Sequence, residues 1–131
     1  AFGADLIAGF PTETEAMFEN SLGLIEDCGL THLHVFPFSA RAGAPAAKMP
    51  QLPARLRKAR AARLRSAGEL AFRSWLDGKT GDTIRVLIEK DASGHSEDFA
   101  PVRLSTAADP GDIVTARVTG RSDGQLLAEV A

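Results

Sequence analysis

Cysteine is nearly missing from this sequence, which has Cys28 as the only one among 131 residues. A single thiol excludes an internal disulfide and any cysteine-ligated metal centre made by this chain alone. Cys28 stands at the end of an apolar helical pattern, which predicts a buried thiol on a helix face. One free thiol also fits a cytoplasmic protein.

Long apolar runs are missing as well. No run approaches the roughly 18 residues that span a bilayer, so we expect no membrane segment. The first ten residues lack the basic region and the small-residue cleavage site of a signal peptide. They also lack an initiator methionine and enter an apolar segment directly, which indicates a chain cut within a larger domain.

Basic residues are scarce in the first third of the chain. Residues 1–47 hold Arg41 against six acidic side chains. Residues 48–76 hold eight basic side chains against Glu69, and residues 77–131 hold six basic and ten acidic ones. The net charge of −2 therefore hides three blocks of different charge, which indicates three segments with different tasks.

The first segment is predicted to begin with a strand and a helix. Residues 4–8 form a short apolar run of the kind that is buried in parallel sheets. Thr12 and Glu15 have the spacing of a capping box, which satisfies two backbone N–H groups at a helix start. This spacing predicts a helix over residues 13–28, in which Glu13 compensates the helix dipole rather than acting as a base.

A second strand is predicted over residues 31–38, where apolar side chains alternate with others. The order strand, helix, strand fits a parallel βαβ crossover. Residues 39–53 are rich in Ala, Gly and Pro, and loops in this position carry function in parallel α/β folds. A plain connector would have the same composition, and the sequence leaves both interpretations open.

One long helix is predicted over residues 53–76, with Pro53 at its first position. Six basic side chains between residues 55 and 65 spread around much of its circumference. They form either a solvated face or a surface that offers cations to phosphate groups. The candidates for RNA contact on this helix are Arg57, Lys58 and Arg60.

The last segment is predicted to be all-β. Residues 91–94 have the composition of a turn, and Pro101 implies a sheet edge or a bulge. Several short strands so close in sequence favour a closed barrel, because closure removes the sheet edges. The clearest strands cover residues 83–90, 99–104, 113–119 and 126–130.

Two stretches resemble one known family. GADLIAGFPTETEAMFENSLGLIEDCGLTHLHVFPFSARAGAPAAKMP is similar to the end of the catalytic domain of radical-SAM methylthiotransferases. That domain carries a GFPxET turn after one barrel strand and a VFPYSxRxGTPAAxMP-like segment after the next. The tail from Asp77, with GKTGDTIRVLIEK, GHSEDFAPVRL and PGDIVTARVT, resembles the TRAM domain that closes these enzymes. The family's usual residues are replaced by Thr12 in the turn and by Ala40, Ala42 and Ala44 around Arg41.

The resemblance implies an α+β fold in three parts. Residues 1–50 would be the βαβ end of a radical-SAM α/β barrel, residues 51–76 a connecting basic helix, and residues 77–131 a five-stranded, OB-like TRAM barrel. The THLHVFPFS wording is most similar to the branch that methylthiolates N6-threonylcarbamoyladenosine beside the anticodon of tRNA. Two hypotheses stay open beside it: a methylthiotransferase for an aspartate of a ribosomal protein, and a binding module without a catalytic parent.

The resemblance also implies cofactors. In the family, six cysteines hold two 4Fe-4S clusters, and S-adenosylmethionine (SAM) completes the coordination of one. Because the chain has one cysteine, we expect it to bind no cluster and to be inactive alone, and we assign it no catalytic residue and no metal ligand. Gly9 would permit close backbone approach. The positions that correspond to the SAM pocket and its mouth are Ile7, Gly9, Phe36, Phe38 and Arg41.

The expected partners are tRNA and the missing N-terminal domains of the same enzyme. Exposed strand edges would also permit self-association. Small β-barrels bind nucleic acid through basic and stacking side chains, but Phe99 is predicted to lie in the core, so stacking would be poor. The candidates for RNA contact in the barrel are Arg85, Lys90, His95, Arg103, Arg117 and Arg121.

Overall fold

The computed structural model describes all 131 residues as two compact units, residues 1–71 and residues 72–131. Helices and strands are mixed along the chain, which confirms the predicted α+β class. The structure has no helix that is both long and apolar enough to cross a membrane. In chain order the elements are β1 (Phe2–Ala8), α1 (Glu15–Asp27), β2 (Leu30–Pro37), α2 (Ala54–Asp77), β3 (Thr83–Lys90), β4 (Ser93–Ser96), β5 (Pro101–Leu104), β6 (Ile113–Ser122) and β7 (Gln125–Val130), with a 3-10 turn at Pro45–Lys48 before α2.

The first unit is built on two parallel strands, as the crossover pattern predicts. β1 and β2 pair with Ala4 opposite Leu33 and Ile7 opposite Phe36. One face of this sheet is covered by α1 and by the first part of α2, and the opposite face exposes Ile7 and Phe36. A methyl group on Gly68 would lie 2.7 Å from Leu33, so α2 packs closely against β2 there. The core consists of Ala8, Phe18, Ile25, Val35, Ala61 and Leu64.

The start of α1 differs from the predicted capping box. Thr14, not Thr12, is the N-cap, and its hydroxyl accepts a hydrogen bond of 3.2 Å from the Met17 N–H. Glu13 lies before the helix in a turn, where its own N–H donates to the Phe10 carbonyl at 2.8 Å. The carboxylate of Glu13 accepts hydrogen bonds from the Gly9 N–H and from Arg60.

The end of α1 corrects the prediction for Cys28. The thiol is exposed, and Cys28 is the C-cap residue that follows the last helical residue. Its N–H still donates to the Leu24 carbonyl at 2.9 Å. Gly29 then adopts a φ of 60°, a left-handed conformation that glycine adopts readily and that ends the helix.

The second unit contains the predicted closed barrel. Its strand order is β3-β4-β5-β7-β6, and β3 pairs with β6 to close it. All pairs are antiparallel except β5 with β7. The interior holds the alternate side chains of the strands together with Leu76 from the end of α2. The large strand residues that are almost completely buried in this core are Val86, Ile88, Val102, Val118 and Leu126.

Two local predictions in the barrel are wrong. The turn predicted over residues 91–94 extends only to Ala92, and β4 begins at Ser93. β4 has no apolar alternation, and Gly94 is required because a methyl group there would lie 1.8 Å from the Leu87 carbonyl oxygen. Phe99 is neither a strand residue nor a core residue: β5 begins at Pro101, Ala100 takes the core position, and Phe99 is 72% exposed.

Candidate functional site

A cavity of about 520 Å³ lies where β1 and β2 end. Because parallel strands present their carboxyl ends at one edge, Ile7 near the end of β1 and the residues that follow β2 meet there. Arg41 is its only charged lining residue. Phe38 is held by an edge-to-face contact with Phe10, at 5.3 Å between ring centroids. The lining residues are Ile7, Phe36, Pro37, Phe38, Ser39, Arg41, Ala44 and Ala46, which include four of the five predicted cofactor residues.

Gly9, the fifth of these residues, does not line the cavity. It is buried with a φ of 85°, and a methyl group on it would lie 2.5 Å from the Cγ atom of Arg57. Glycine therefore permits a close approach of α2 here. The Gly9 N–H donates to the Glu13 carboxylate at 3.0 Å, which fixes the turn after β1.

Arginines of α2 attach this helix to the ends of both strands. Arg57 donates to the Phe38 carbonyl at 2.9 Å, and Arg65 donates to the Val35 carbonyl at 3.0 Å. Arg60 donates both to the backbone carbonyl of Glu13 at 3.0 Å and to its carboxylate at 2.9 Å. These side chains hold the segments that follow β1 and β2. Arg60 is buried and Arg57 is half-buried, and both guanidinium groups bind within the first unit.

The Arg60–Glu13 ion pair is buried, since Arg60 is only 5% exposed. Around it, Arg63 pairs with Glu15 at 2.9 Å and with Glu19 at 2.8 Å. The hydrogen bond from Arg63 holds the pKa of Glu15 below its usual value. Arg60 and Arg63 also lie over the ring of Phe18, at 5.5 Å and 4.8 Å from its centroid.

The sequence contains a signal for this network that the prediction did not use. The acidic block of residues 1–47 and the basic block of residues 48–76 are complementary in charge. Both proposed roles of the basic helix considered only water or phosphate as its partner. Of the three helix residues proposed for RNA contact, Lys58 alone is exposed to solvent.

The six barrel residues predicted to contact RNA fall into two groups. Three are held by carboxylates: Arg85 pairs with Glu97 at 2.7 Å, Arg121 pairs with Asp77 at 2.6 Å, and the imidazole of His95 lies 3.1 Å from Glu89. The hydrogen bonds from Arg85 and Arg121 lower the pKa of Glu97 and of Asp77. The exposed remainder consists of Lys90, Arg103 and Arg117.

These cations do not converge on a single pocket. Arg85 and Arg117 lie on the outer face of β3 and β6, where Thr83 is opposite Arg117 and Thr115 is opposite Arg85. Arg103 borders a separate open cavity of about 530 Å³, which is also lined by Asp91 and Glu129. The outside of the barrel therefore offers scattered cations rather than one basic patch.

Sequence reasoning missed one further group of side chains at the β4–β5 turn. Lys79 contacts Asp98 and lies 4.6 Å from the centroid of the Trp75 ring. Burial raises the pKa of Asp98, but hydrogen bonds from Lys79 and Ser96 outweigh it and keep that pKa below its usual value. The structure brings together no group of three or more His, Cys, Asp or Glu side chains that could hold a metal ion.

The sequence is similar to those of curated methylthiotransferases. Over 126 residues, or 96% of its length, the chain is 44% identical to a threonylcarbamoyladenosine tRNA methylthiotransferase from Rickettsia prowazekii (strain Madrid E). Over nearly its whole length the chain is therefore similar to part of a methylthiotransferase. No family model matches it.

Other methylthiotransferases also match this chain along nearly its whole length. It is 36% identical over 133 residues to a tRNA-2-methylthio-N(6)-dimethylallyladenosine synthase from Cereibacter sphaeroides (strain ATCC 17025 / ATH 2.4.3). It is 36% identical over 136 residues to a ribosomal protein uS12 methylthiotransferase from Desulforudis audaxviator (strain MP104C). The chain spans about 30% of the length of each of these relatives.

Proposed function

We propose that the chain is the C-terminal part of a radical-SAM enzyme that adds a methylthio group to C2 of N6-threonylcarbamoyladenosine in tRNA. The observation that carries this substrate is the 44% identity to a relative named for it. Relatives named for dimethylallyladenosine or for ribosomal protein uS12 are 36% identical. In such an enzyme, residues 1–50 form the end of the catalytic barrel and residues 77–131 form the TRAM barrel. Residues 51–76 form the basic helix that connects them.

The cavity at the ends of β1 and β2 is the proposed SAM site. Its lining fits parts of SAM, because aromatic side chains suit an adenine ring and a guanidinium suits a carboxylate. Phe36 and Phe38 are the aromatic residues of the lining, and Arg41 is its cation. SAM bound with an iron–sulfur cluster supplies the radical chemistry of this family. Cys28 is the chain's only thiol, so the cluster cysteines belong to other parts of the enzyme.

The chain's own contribution at this site is positioning. Arg57 binds the Phe38 carbonyl, and Glu13 binds the Gly9 N–H, so the segments after β1 and β2 are both held by side chains. Phe10 supports the ring of Phe38 from its edge. A fixed lining lowers the entropic cost of holding a ligand in one orientation.

The barrel is the proposed tRNA-binding part of the enzyme. Its net charge is negative, so binding depends on individual exposed cations rather than on bulk attraction. Arg57 and Arg60 are left out of the proposed tRNA contacts, because their guanidinium groups bind within the first unit. The barrel residues proposed to contact tRNA are Arg85, Lys90, His95, Arg103, Arg117 and Arg121, and Lys58 of α2 is a separate candidate in the first unit.

Deletion of the complete gene tests the substrate. We expect the tRNA of the deletion strain to lose 2-methylthio-N6-threonylcarbamoyladenosine and to accumulate the nucleoside without the methylthio group. Mass spectrometry of digested tRNA measures both. Loss of the methylthio group from dimethylallyladenosine, or from an aspartate of ribosomal protein uS12, would assign the enzyme to another branch instead. Unchanged tRNA and unchanged uS12 would leave the chain as a binding module.

A further inference from the structure

The turn between β4 and β5 presents an aromatic ring in a costly conformation. Phe99 has a φ of 65°, a region that bulky residues rarely adopt because the Cβ atom crowds the backbone. Its side chain is 72% exposed, so the ring does not fill the barrel core. An unusual backbone conformation at an exposed aromatic side chain motivates the hypothesis that the ring has a function.

The turn that carries Phe99 is held in place by several hydrogen bonds. The Phe99 N–H donates to the Ser96 carbonyl at 3.0 Å, and the Ala100 N–H donates to the Ser96 hydroxyl oxygen at 3.0 Å. Ser96 and Lys79 both bind the Asp98 carboxylate. The ring is therefore presented on a preorganised support, which lowers the entropic cost of binding a partner.

This turn has its acidic side chains neutralised by basic ones. Its two carboxylates, Glu97 and Asp98, are each paired with a cation, namely Arg85 and Lys79. Arg117 lies on the adjacent strand β6, opposite Thr83. It is two positions away from Thr115, the residue that lies opposite Arg85 in the sheet. An exposed aromatic ring beside basic side chains is the arrangement with which small barrels bind single-stranded nucleic acid.

We propose that Phe99 stacks on an unpaired base of the bound RNA, while Arg85 and Arg117 contact the phosphates beside that base. This inference rests on the proposed function, because it takes RNA as the ligand of the barrel. It reverses the expectation that stacking would be poor, which depended on a buried Phe99.

Binding of two probes by the chain tests the proposal. One probe is a fluorescent ten-nucleotide oligoadenylate, and the other is the same ribose-phosphate backbone without bases. Base stacking on an aromatic side chain corresponds to about a 5- to 150-fold difference in affinity on substitution by alanine. We therefore expect Phe99→Ala to weaken oligoadenylate binding by that factor and to leave binding of the abasic probe unchanged. Phe99→Trp should preserve binding, and Phe99→Leu should not.

Two controls separate stacking from other roles of the ring. Ile113→Ala removes a side chain that is 66% exposed on the outside of the same barrel, and it should leave both affinities unchanged. Phe99→Asn places a residue that tolerates a positive φ in the turn, so it should weaken oligoadenylate binding without lowering the melting temperature. A melting temperature several degrees lower would mean that the ring supports the barrel, and would overturn the proposal.

The remaining outcomes are also decisive. If the unmodified chain binds oligoadenylate and Phe99→Ala binds it equally well, stacking is wrong while RNA binding by the barrel stands. If Phe99→Leu binds as well as the unmodified chain, the ring makes a general apolar contact of the kind that a protein partner would use. If the chain binds neither probe at low salt, the barrel does not bind RNA and the proposal fails, whereas the substrate assignment still depends on the gene deletion.

Discussion

Arg60 shows how one side chain connects the sequence to the candidate site. It lies in the middle of a helix that is basic enough to suggest phosphate binding. In the structure its guanidinium is buried against Glu13, whose carboxylate also binds the Gly9 N–H in the turn after β1. The helix and the turn are therefore coupled through one ion pair.

Arg60→Ala tests this coupling. The substitution leaves the buried carboxylate of Glu13 without its partner, and breaking a buried pair in this way costs about 3–5 kcal/mol. We expect the free energy of unfolding, measured by urea denaturation with circular dichroism, to fall by about that amount. Lys58→Ala, on an exposed position of the same helix, should change it by no more than about 0.5 kcal/mol. Equal effects of the two substitutions would contradict the buried ion pair.

At the scale of elements, alternation and charge predicted most of the fold. The crossover of β1, α1 and β2, the long helix and the closed barrel all follow from patterns of apolar residues and turns. β4 was missed because its residues, SGHS, contain no apolar side chain and are selected by close strand packing at Gly94. The orientation of Phe99 was missed because a single bulky apolar residue looks like core unless the inward positions of Ala100 and Val102 are considered.

The lining of the candidate site was largely predictable from the sequence, but the contacts that hold it were not. Four residues at the ends of β1 and β2 meet in one cavity, because the order of a parallel crossover brings both strand ends together. The arginine contacts that hold these ends were not predictable from periodicity, since they join residues that are 19 to 47 positions apart. Charge complementarity between segments is a signal for the Arg60–Glu13 pair, but not for Arg57 and Arg65, which donate to backbone carbonyls.

The thermal stability of the barrel is expected to depend on pH through Asp98 in the turn between β4 and β5. The pKa of Asp98 is lowered in the folded state, so its contribution to stability is present above the unfolded pKa of about 4 and is lost as pH falls through the folded value. We expect the melting temperature to fall as pH is lowered from about 5 to about 2. Asp98→Asn should reduce this dependence, whereas Asp109→Asn in an exposed turn should not. An unchanged pH dependence in Asp98→Asn would show that this carboxylate contributes nothing.

At the scale of the whole molecule, one unit is a closed barrel and the other contains an open two-stranded sheet. The barrel of residues 72–131 is closed on itself. The sheet of residues 1–71 has only two strands, and its uncovered face exposes Ile7 and Phe36. Uncovered strand edges permit pairing with further strands, so self-association of the isolated chain remains a prediction. The same face and the cavity beside it are where the rest of a catalytic barrel would be expected.

The central claim is that the cavity with Arg41 serves methylthiolation of tRNA, and complementation of the deletion strain tests it most directly. The complete gene is supplied unchanged, with Arg41→Ala, or with Lys48→Ala, a nearby exposed cation outside the cavity lining. Mass spectrometry then gives the fraction of N6-threonylcarbamoyladenosine that carries the methylthio group. We predict that Arg41→Ala lowers this fraction at least tenfold, since a charged hydrogen-bond partner is lost, and that Lys48→Ala restores it fully. Full restoration by Arg41→Ala would contradict the claim.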